Sequence, residues 1–87
     1  MTKYRVDLLD RRTRRQLDRI GEPDFSRIAN AVLNLEDNPR PPSCRKLRGL
    51  AGWRLRVGNW RVIYHIDDQE RVVTIVEVRR RREDTYR

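Results

Sequence analysis

Hydrophobic and polar positions alternate along residues 53–66 and predict a tight β-hairpin. Two alternating runs are joined by Gly58 and Asn59, a pair that is typical of two-residue hairpin turns. With this turn, Val57 lies opposite Trp60 and alternate side chains share one face of the sheet. The face predicted to meet the core carries Trp53, Leu55, Val57, Trp60, Val62 and Tyr64.

The other face of the predicted hairpin is cationic. It carries Arg54, Arg56, Arg61, Ile63 and His65, and the segment contains no carboxylate. Arg56 is predicted to lie directly opposite Arg61, and like charges placed so are destabilising. Two interpretations stay open: a surface that binds an anion, or a solvated sheet face whose arginine stems cover apolar surface.

Helical periods precede the hairpin. An α-helix is predicted from Asp10, a suitable N-cap, to Ile20, with Gly21 ending it. A second helix begins at Pro23, and its apolar stripe is formed by Phe25, Ile28, Val32 and Leu35. Residues 38–44 contain three prolines and are predicted to form a loop.

Two further strands are predicted near the ends of the chain. Residues 3–8 alternate as a short first strand, with Tyr4, Val6 and Leu8 facing inward. Residues 71–78 form the most β-prone run, and its apolar residues on both parities predict a central strand covered on both sides. Its register against the preceding strand is left open, since a slip of one residue exchanges the faces.

This order of elements predicts an α+β fold. The sequence of elements is strand, helix, helix and three strands, giving a twisted, mostly antiparallel sheet of about four strands with a helical hairpin packed on one face. A chain of 87 residues supports one modest core, so residues 1–87 are expected to form one domain.

Charge and composition restrict the function classes. The chain has 21 Lys and Arg against 13 Asp and Glu, a formal net charge of +8, which favours nucleic acid, a ribosome or an acidic protein as partner. The one cysteine, Cys44, excludes an internal disulfide and suits a reducing compartment. No run is long and apolar enough for a membrane span or a secretory signal, so a cytoplasmic location is expected.

The residues favour chemistry without a metal or other cofactor. His65 has no partner at ligand spacing, and the chain lacks a glycine-rich phosphate loop and a nucleophile elbow. A cluster of arginines together with Tyr86 or His65 suits cleavage of RNA by attack of a ribose 2′-hydroxyl on the neighbouring phosphate. The arginines would balance the phosphorane charge, and the tyrosine or histidine would move protons.

Three segments together resemble the RelE branch of the RelE/ParE toxin superfamily: Lys-Leu-Arg-Gly at 46–49, the hairpin at 53–64, and the arginine-rich end at 78–87. The resemblance covers essentially the whole chain. It implies a type II toxin that cleaves mRNA, in many members in the ribosomal A site, and that is silenced by an antitoxin protein. The free toxin is then expected to be a monomer that forms a larger assembly with its antitoxin.

The resemblance also implies site residues. Arg54 and Arg56 match two basic residues of the family, Arg61 matches an arginine that contacts the scissile phosphate, and Arg81 (or Arg82, one place along) and Tyr86 match a catalytic arginine and a terminal tyrosine. Further RNA contacts are assigned to Lys46, Arg48, Arg80, Arg82 and His65. The alternatives are a ParE-like toxin that inhibits DNA gyrase without catalysis, and a non-catalytic module that binds RNA or the ribosome.

Overall fold

Two helices pack on one face of a mixed sheet in the computed structural model, which describes residues 3–81. The elements are β1 (Arg5–Leu8), α1 (Arg11–Asp18), α2 (Asp24–Asn34), β2 (Cys44–Lys46), β3 (Trp53–Val57), β4 (Trp60–Asp67) and β5 (Val72–Arg80). The strand order is β1-β5-β4-β3-β2; β1 runs parallel to β5, and the other neighbouring pairs are antiparallel. The predicted α+β class is confirmed.

The sheet has five strands where the sequence predicted about four. The additional strand is β2, which pairs Cys44 with Leu55 and Lys46 with Trp53. Its three residues follow a proline-rich loop and include one apolar residue, so they show no alternation that could reveal a strand. These residues form a strand because they pair with β3, and their own sequence pattern does not predict it.

The predicted hairpin is confirmed in turn and register. Val57 pairs with Trp60, Arg56 with Arg61, and Trp53 with Tyr64. Gly58 has a φ of 59°, the left-handed conformation that glycine adopts without steric cost. The turn chemistry therefore fixes which side chains of β3 and β4 share a face.

The observed ends of both helices that were predicted from capping and terminating residues lie within two residues of the prediction. Asp10 caps α1, and its side chain accepts a hydrogen bond from the Thr13 backbone N–H at 3.1 Å. The helix ends at Asp18, two residues before the predicted Ile20. Helix α2 begins at Asp24, one residue after the predicted start at Pro23, which is the N-cap.

The hydrophobic core lies between the helices and one sheet face. The helical hairpin contributes Ile20, Ile28, Val32 and Leu35, and the sheet contributes Leu55, Val62, Tyr64, Val73, Ile75 and Val78. Tyr64 is fully buried, and its hydroxyl donates to the Pro39 carbonyl at 2.8 Å. The face of the sheet that carries Arg54, Arg56 and Arg61 lies away from this core, and we call it the open face.

A β-bulge divides β5. Ile63 pairs with Glu77 whereas Tyr64 pairs with Ile75, so Val76 is the extra residue. Side chains that face the core therefore change parity, from Val73 and Ile75 to Val78. The predicted central position of β5 is confirmed, but its apolar residues of both parities reflect the bulge, not cover on both faces.

Helix α1 supplies hydrogen-bond partners to the bulge. The Thr13 hydroxyl donates to the Val76 carbonyl at 3.1 Å, and the Val78 backbone N–H donates to Oε1 of Gln16 at 2.8 Å. Thr13 is 1% exposed, so water does not readily replace its hydrogen bond to Val76. The helix thus holds the irregular backbone that sets the faces of the last residues of β5.

A polar cluster ties β1, the α2–β2 loop and the β4–β5 turn together. The Tyr4 hydroxyl donates to Oδ1 of Asp68 at 2.6 Å, and Arg40 contacts both oxygens of the same carboxylate, at 3.3 and 2.8 Å. Arg40 also lies 5.2 Å from the ring centroid of Trp53. The Arg40 guanidinium, and after it the Tyr4 hydroxyl, lower the pKa of Asp68.

Asp68→Asn is expected to destabilise the protein at neutral pH and to have little effect in acid. The Asp68 pKa is lower in the folded than in the unfolded chain. Its stabilisation is therefore complete above the unfolded value of about 3.9 and is lost as the pH falls through the folded value. Urea unfolding of both proteins at several pH values measures this. Glu70→Gln, exposed in the same turn, is the control, and a difference that persists unchanged in acid would contradict the linkage.

Candidate functional site

Four arginines converge on the open face of the sheet. Arg54, Arg56, Arg61 and Arg81 line a pocket of about 70 Å³, which we call the arginine pocket. They come from β3, from β4 and from the residue after β5. Such a wall of guanidinium groups suits a ligand with several negatively charged oxygens, because the planar forks bind phosphate or carboxylate bidentately.

Backbone pairing brings these arginines together. Arg56 and Arg61 are direct cross-strand neighbours, and Arg61 also pairs with Arg79. Beyond β5, the Arg81 N–H donates to the Asn59 carbonyl at 2.6 Å, and its Nη1 donates to the Gly58 carbonyl at 3.5 Å. The hairpin turn thus fixes Arg81 beside the pocket.

The crowding of positive charge is visible in Arg61. Burial, followed by the charges of Arg54, Arg79, Arg81 and Arg56, lowers the pKa of its guanidinium. On this part of the face the Glu77 carboxylate lies 2.7 Å from Arg79. Among residues 3–81, no carboxylate lines the arginine pocket. An anion bound there would offset the repulsion that the fold leaves in place.

A larger pocket of about 200 Å³ adjoins the arginine pocket. Its lining consists of Pro42, Ser43, Arg45, Arg54 and Arg56, and we call it the Arg45 pocket. Arg54 and Arg56 line both pockets, so the two form one continuous cationic surface. Arg45 was missed as a site residue, and the missing signal was β2: once residue 45 pairs with Arg54, both side chains share the open face.

Lys46 and Arg80 lie on the other face of the sheet. Lys46 pairs with Trp53, and its Nζ is 5.8 Å from the indole centroid. Arg80 pairs with Trp60, and its guanidinium carbon is 5.2 Å from that ring. Both cations therefore cover tryptophans on the side of the helices and do not reach the arginine pocket.

The remaining predicted residues are placed apart from the pocket or are not described. His65 is exposed on the open face beside Gly52, where an added Cβ would lie 2.9 Å from its Cδ2. Arg48 is exposed in the turn between β2 and β3. Arg82 and Tyr86, both assigned to the site from the sequence, lie outside residues 3–81.

Residues 3–81 contain no group of three or more histidine, cysteine, aspartate or glutamate side chains that could hold a metal ion. Within the same part of the chain, neither helix has the length and apolar character needed to cross a membrane.

Comparison with known proteins gives one family match and a set of similar structures. The model of the family "ParE toxin of type II toxin-antitoxin system, parDE" matches residues 8–85. A comparison with curated protein sequences finds no match.

The similar structures share the fold over nearly the whole chain. The archaeal RelE-RelB complex from Pyrococcus horikoshii is 28% identical, with a TM-score of 0.80 over 93% of this chain and 97% of that one. The RelBE2 toxin-antitoxin complex from Mycobacterium tuberculosis is 24% identical, with a TM-score of 0.79 over 91% and 99%. The isolated RelE toxin from E. coli is 20% identical, with a TM-score of 0.80 over 94% and 88%.

Proposed function

We propose that this chain, which belongs to the ParE toxin family of type II toxin-antitoxin systems, is an endoribonuclease that cleaves messenger RNA without a metal ion. The resemblance to the RelE/ParE superfamily that the sequence indicated is confirmed. The observation that supports a nuclease is the arginine pocket, where Arg54, Arg56, Arg61 and Arg81 surround space for an anion.

The reaction proposed is an intramolecular transfer within the RNA. The ribose 2′-oxygen loses its proton and bonds to the adjacent phosphorus, and the bond from phosphorus to the 5′-oxygen breaks as that oxygen gains a proton. The products are a 2′,3′-cyclic phosphate and a 5′-hydroxyl. Charge builds on the phosphorane oxygens, and preorganised cations lower the barrier by stabilising that charge.

Roles follow from position in the pocket. Arg61, half-buried at its centre and repelled by its neighbours, gains most from a phosphate, and Arg81 grips the same group from the hairpin turn. Arg54 and Arg56 hold the RNA backbone on the side of the Arg45 pocket. Arginine transfers protons poorly because its pKa exceeds about 12. Proton transfer is therefore assigned to Tyr86, a candidate from the sequence. His65, the other candidate, lies on the open face but does not line the arginine pocket.

We also propose a cognate antitoxin as the protein partner. Among the structures that share this fold, the one from Pyrococcus horikoshii is a RelE-RelB complex, and the one from Mycobacterium tuberculosis is the toxin-antitoxin complex RelBE2. A net charge of +8 favours an acidic partner, and it also favours messenger RNA on the ribosome as a partner. A cytoplasmic location is part of the same proposal. An antitoxin that covers the open face would block the arginine pocket.

A second candidate function is inhibition of DNA gyrase without catalysis. The family model that matches residues 8–85 is that of ParE, and this match favours it. A gyrase inhibitor predicts DNA-damage signalling with intact messenger RNA after a brief pulse of expression. A non-catalytic RNA-binding module predicts salt-sensitive binding without product. Mapping of transcript 5′ ends after the same pulse identifies the nuclease, and DNA-damage signalling separates the other two.

Replacement of the attacking hydroxyl is expected to abolish cleavage. An RNA with a single 2′-O-methyl group on the 5′ side of the cut site should resist the protein, because the nucleophile is gone. In reactions without ribosomes, EDTA should leave cleavage of the unmodified RNA unchanged. Gel analysis with and without ribosomes measures both, and mass spectrometry identifies the cyclic phosphate. A 2′-O-methyl group one nucleotide away is the control. Cleavage of the blocked RNA would contradict attack by the 2′-hydroxyl.

A further inference from the structure

Arg45 has no role in the reaction as proposed, yet the Arg45 pocket is the larger of the two pockets described. It encloses about 200 Å³, against about 70 Å³ for the arginine pocket, and it extends from Arg54 and Arg56 towards the edge strand β2. A group bound in one pocket is therefore next to a group bound in the other. The arrangement suits a chain with repeated negative charges better than a single small anion.

Charge in the Arg45 pocket is unbalanced in the same way as in the arginine pocket. Arg45 and Arg54 are directly paired across β2 and β3, and like charges placed so destabilise a sheet. Among the described residues, neither arginine forms an ion pair, whereas Asp7 on β1 and Glu77 on β5 contact Arg5 and Arg79. The uncompensated cations are thus concentrated on β2, β3 and β4.

Position favours a neighbouring phosphate of the same strand. Arg45 pairs with Arg54, and Arg54 pairs with Ile63, so Arg61 lies two strands across and two residues along. With about 4.8 Å between strands and about 3.4 Å per residue, the backbone at Arg45 is roughly 12 Å from that at Arg61. Guanidinium groups bind phosphate oxygens at only about 2.7–2.9 Å, so this row of cations spans more than one phosphate. Ser43 adds a hydroxyl, and Pro42 an apolar wall beside a ribose or base.

We infer that the Arg45 pocket is a second nucleotide subsite, in which Arg45 binds the phosphate next to the scissile one in single-stranded RNA. The inference rests on the proposed function for the identity of the ligand. Arg45 here is a binding residue that positions the strand. It takes no part in bond breaking.

The test compares ligands that carry one or two phosphates. The probes are a 2′-O-methylated dinucleoside monophosphate and the corresponding trinucleoside diphosphates, none of which can be cleaved by 2′-hydroxyl attack. Each is titrated into the protein at low ionic strength, and binding is followed by NMR. Arg45→Ala should weaken the trinucleotide about tenfold, since a charged contact is lost, and leave the dinucleotide unchanged. Arg61→Ala should weaken both. Arg27→Ala, the same charge change on the exposed surface of α2, is the matched control.

A longer 2′-O-methylated oligonucleotide provides a second readout. Loss of one phosphate contact should flatten the plot of log affinity against log salt by about 0.7 in Arg45→Ala, whereas Arg45→Lys, which keeps the charge, should retain the slope. Melting temperatures show that the variants are folded.

Three results would overturn the subsite: an equal loss for both short ligands in Arg45→Ala, no loss for either, or no measurable binding of the trinucleotide to the wild type. A loss of affinity for a hexaglutamate peptide as large as that for the trinucleotide would also overturn it, because the pocket would then suit an acidic protein. Failure of the proposed function looks different. The length-dependent effect of Arg45 would persist while unmodified RNA remained uncut with and without ribosomes.

Discussion

Arg61→Ala is expected to lower the rate of messenger RNA cleavage by about 10²- to 10³-fold, the loss typical when one preorganised donor to a developing oxyanion is removed. Arg61 lies between Arg54, Arg56 and Arg81, so its removal takes away the central cation of the arginine pocket. Toxicity on expression should disappear with the cleavage. Rates of cleavage, with ribosomes where they are required, give the measurement.

The same variant should fold as well as the wild type or better. Burial and four neighbouring positive charges lower the pKa of Arg61, so the folded protein gains from losing this charge when no anion is bound. Arg61→Lys keeps a cation without the bidentate fork and should recover part of the rate. Arg27→Ala controls for net charge. A variant that still cleaves at the wild-type rate would remove Arg61 from the mechanism, and one that unfolds would give it a structural role.

Prediction from sequence succeeded where local chemistry fixes geometry. The Gly58-Asn59 turn determines the register of β3 and β4, and this register alone places Arg54, Arg56 and Arg61 on one face. Asp10 marks the start of α1 in the same way, because a side chain that caps a helix acts within one turn. In both cases the decisive contacts join residues that are close in the sequence.

Prediction failed where contacts distant in sequence decide. The face of each β5 side chain depends on the bulge at Val76, whose backbone is held by Thr13 and Gln16, about sixty residues earlier. The bulge puts Arg79 on the open face and directs Arg80 to Trp60. A pattern of alternating residues cannot reveal this change of parity.

The strand β2 shows the same limit at the edge of the sheet. Residues 44–46 become a strand by pairing with β3, and Arg45 reaches the open face only through that pairing. Lys46 was assigned to the RNA surface because it is basic and precedes the hairpin, but the register turns it towards Trp53. The net charge of a sequence indicates the class of partner. The strand register determines which charged side chains can contact that partner.

The support that α1 gives to the bulge leads to the second large effect. Thr13→Val and Gln16→Leu are each expected to destabilise the protein by about 1–3 kcal/mol, because each leaves a backbone group of the bulge without its partner. In a domain of this size, 1 kcal/mol lowers the melting temperature by about 4–8 °C. The double variant should also lose cleavage activity below its melting temperature. The bulge determines the faces of the residues at the end of β5, and Arg81 directly follows that end.

Conservative changes at the same positions separate hydrogen bonding from packing. Thr13→Ser keeps the hydroxyl that donates to the Val76 carbonyl, and Gln16→Glu keeps an oxygen that accepts from the Val78 N–H, so both should stay near the wild type in activity. Thermal unfolding and hydrogen exchange of the Val78 amide are the measurements, and protection at Val78 should fall in Gln16→Leu. If Thr13→Val and Gln16→Leu instead keep the wild-type melting temperature and Val78 protection, the bulge is maintained by the strands alone. The faces of Arg79 and Arg80 would then be set within the sheet, independently of α1.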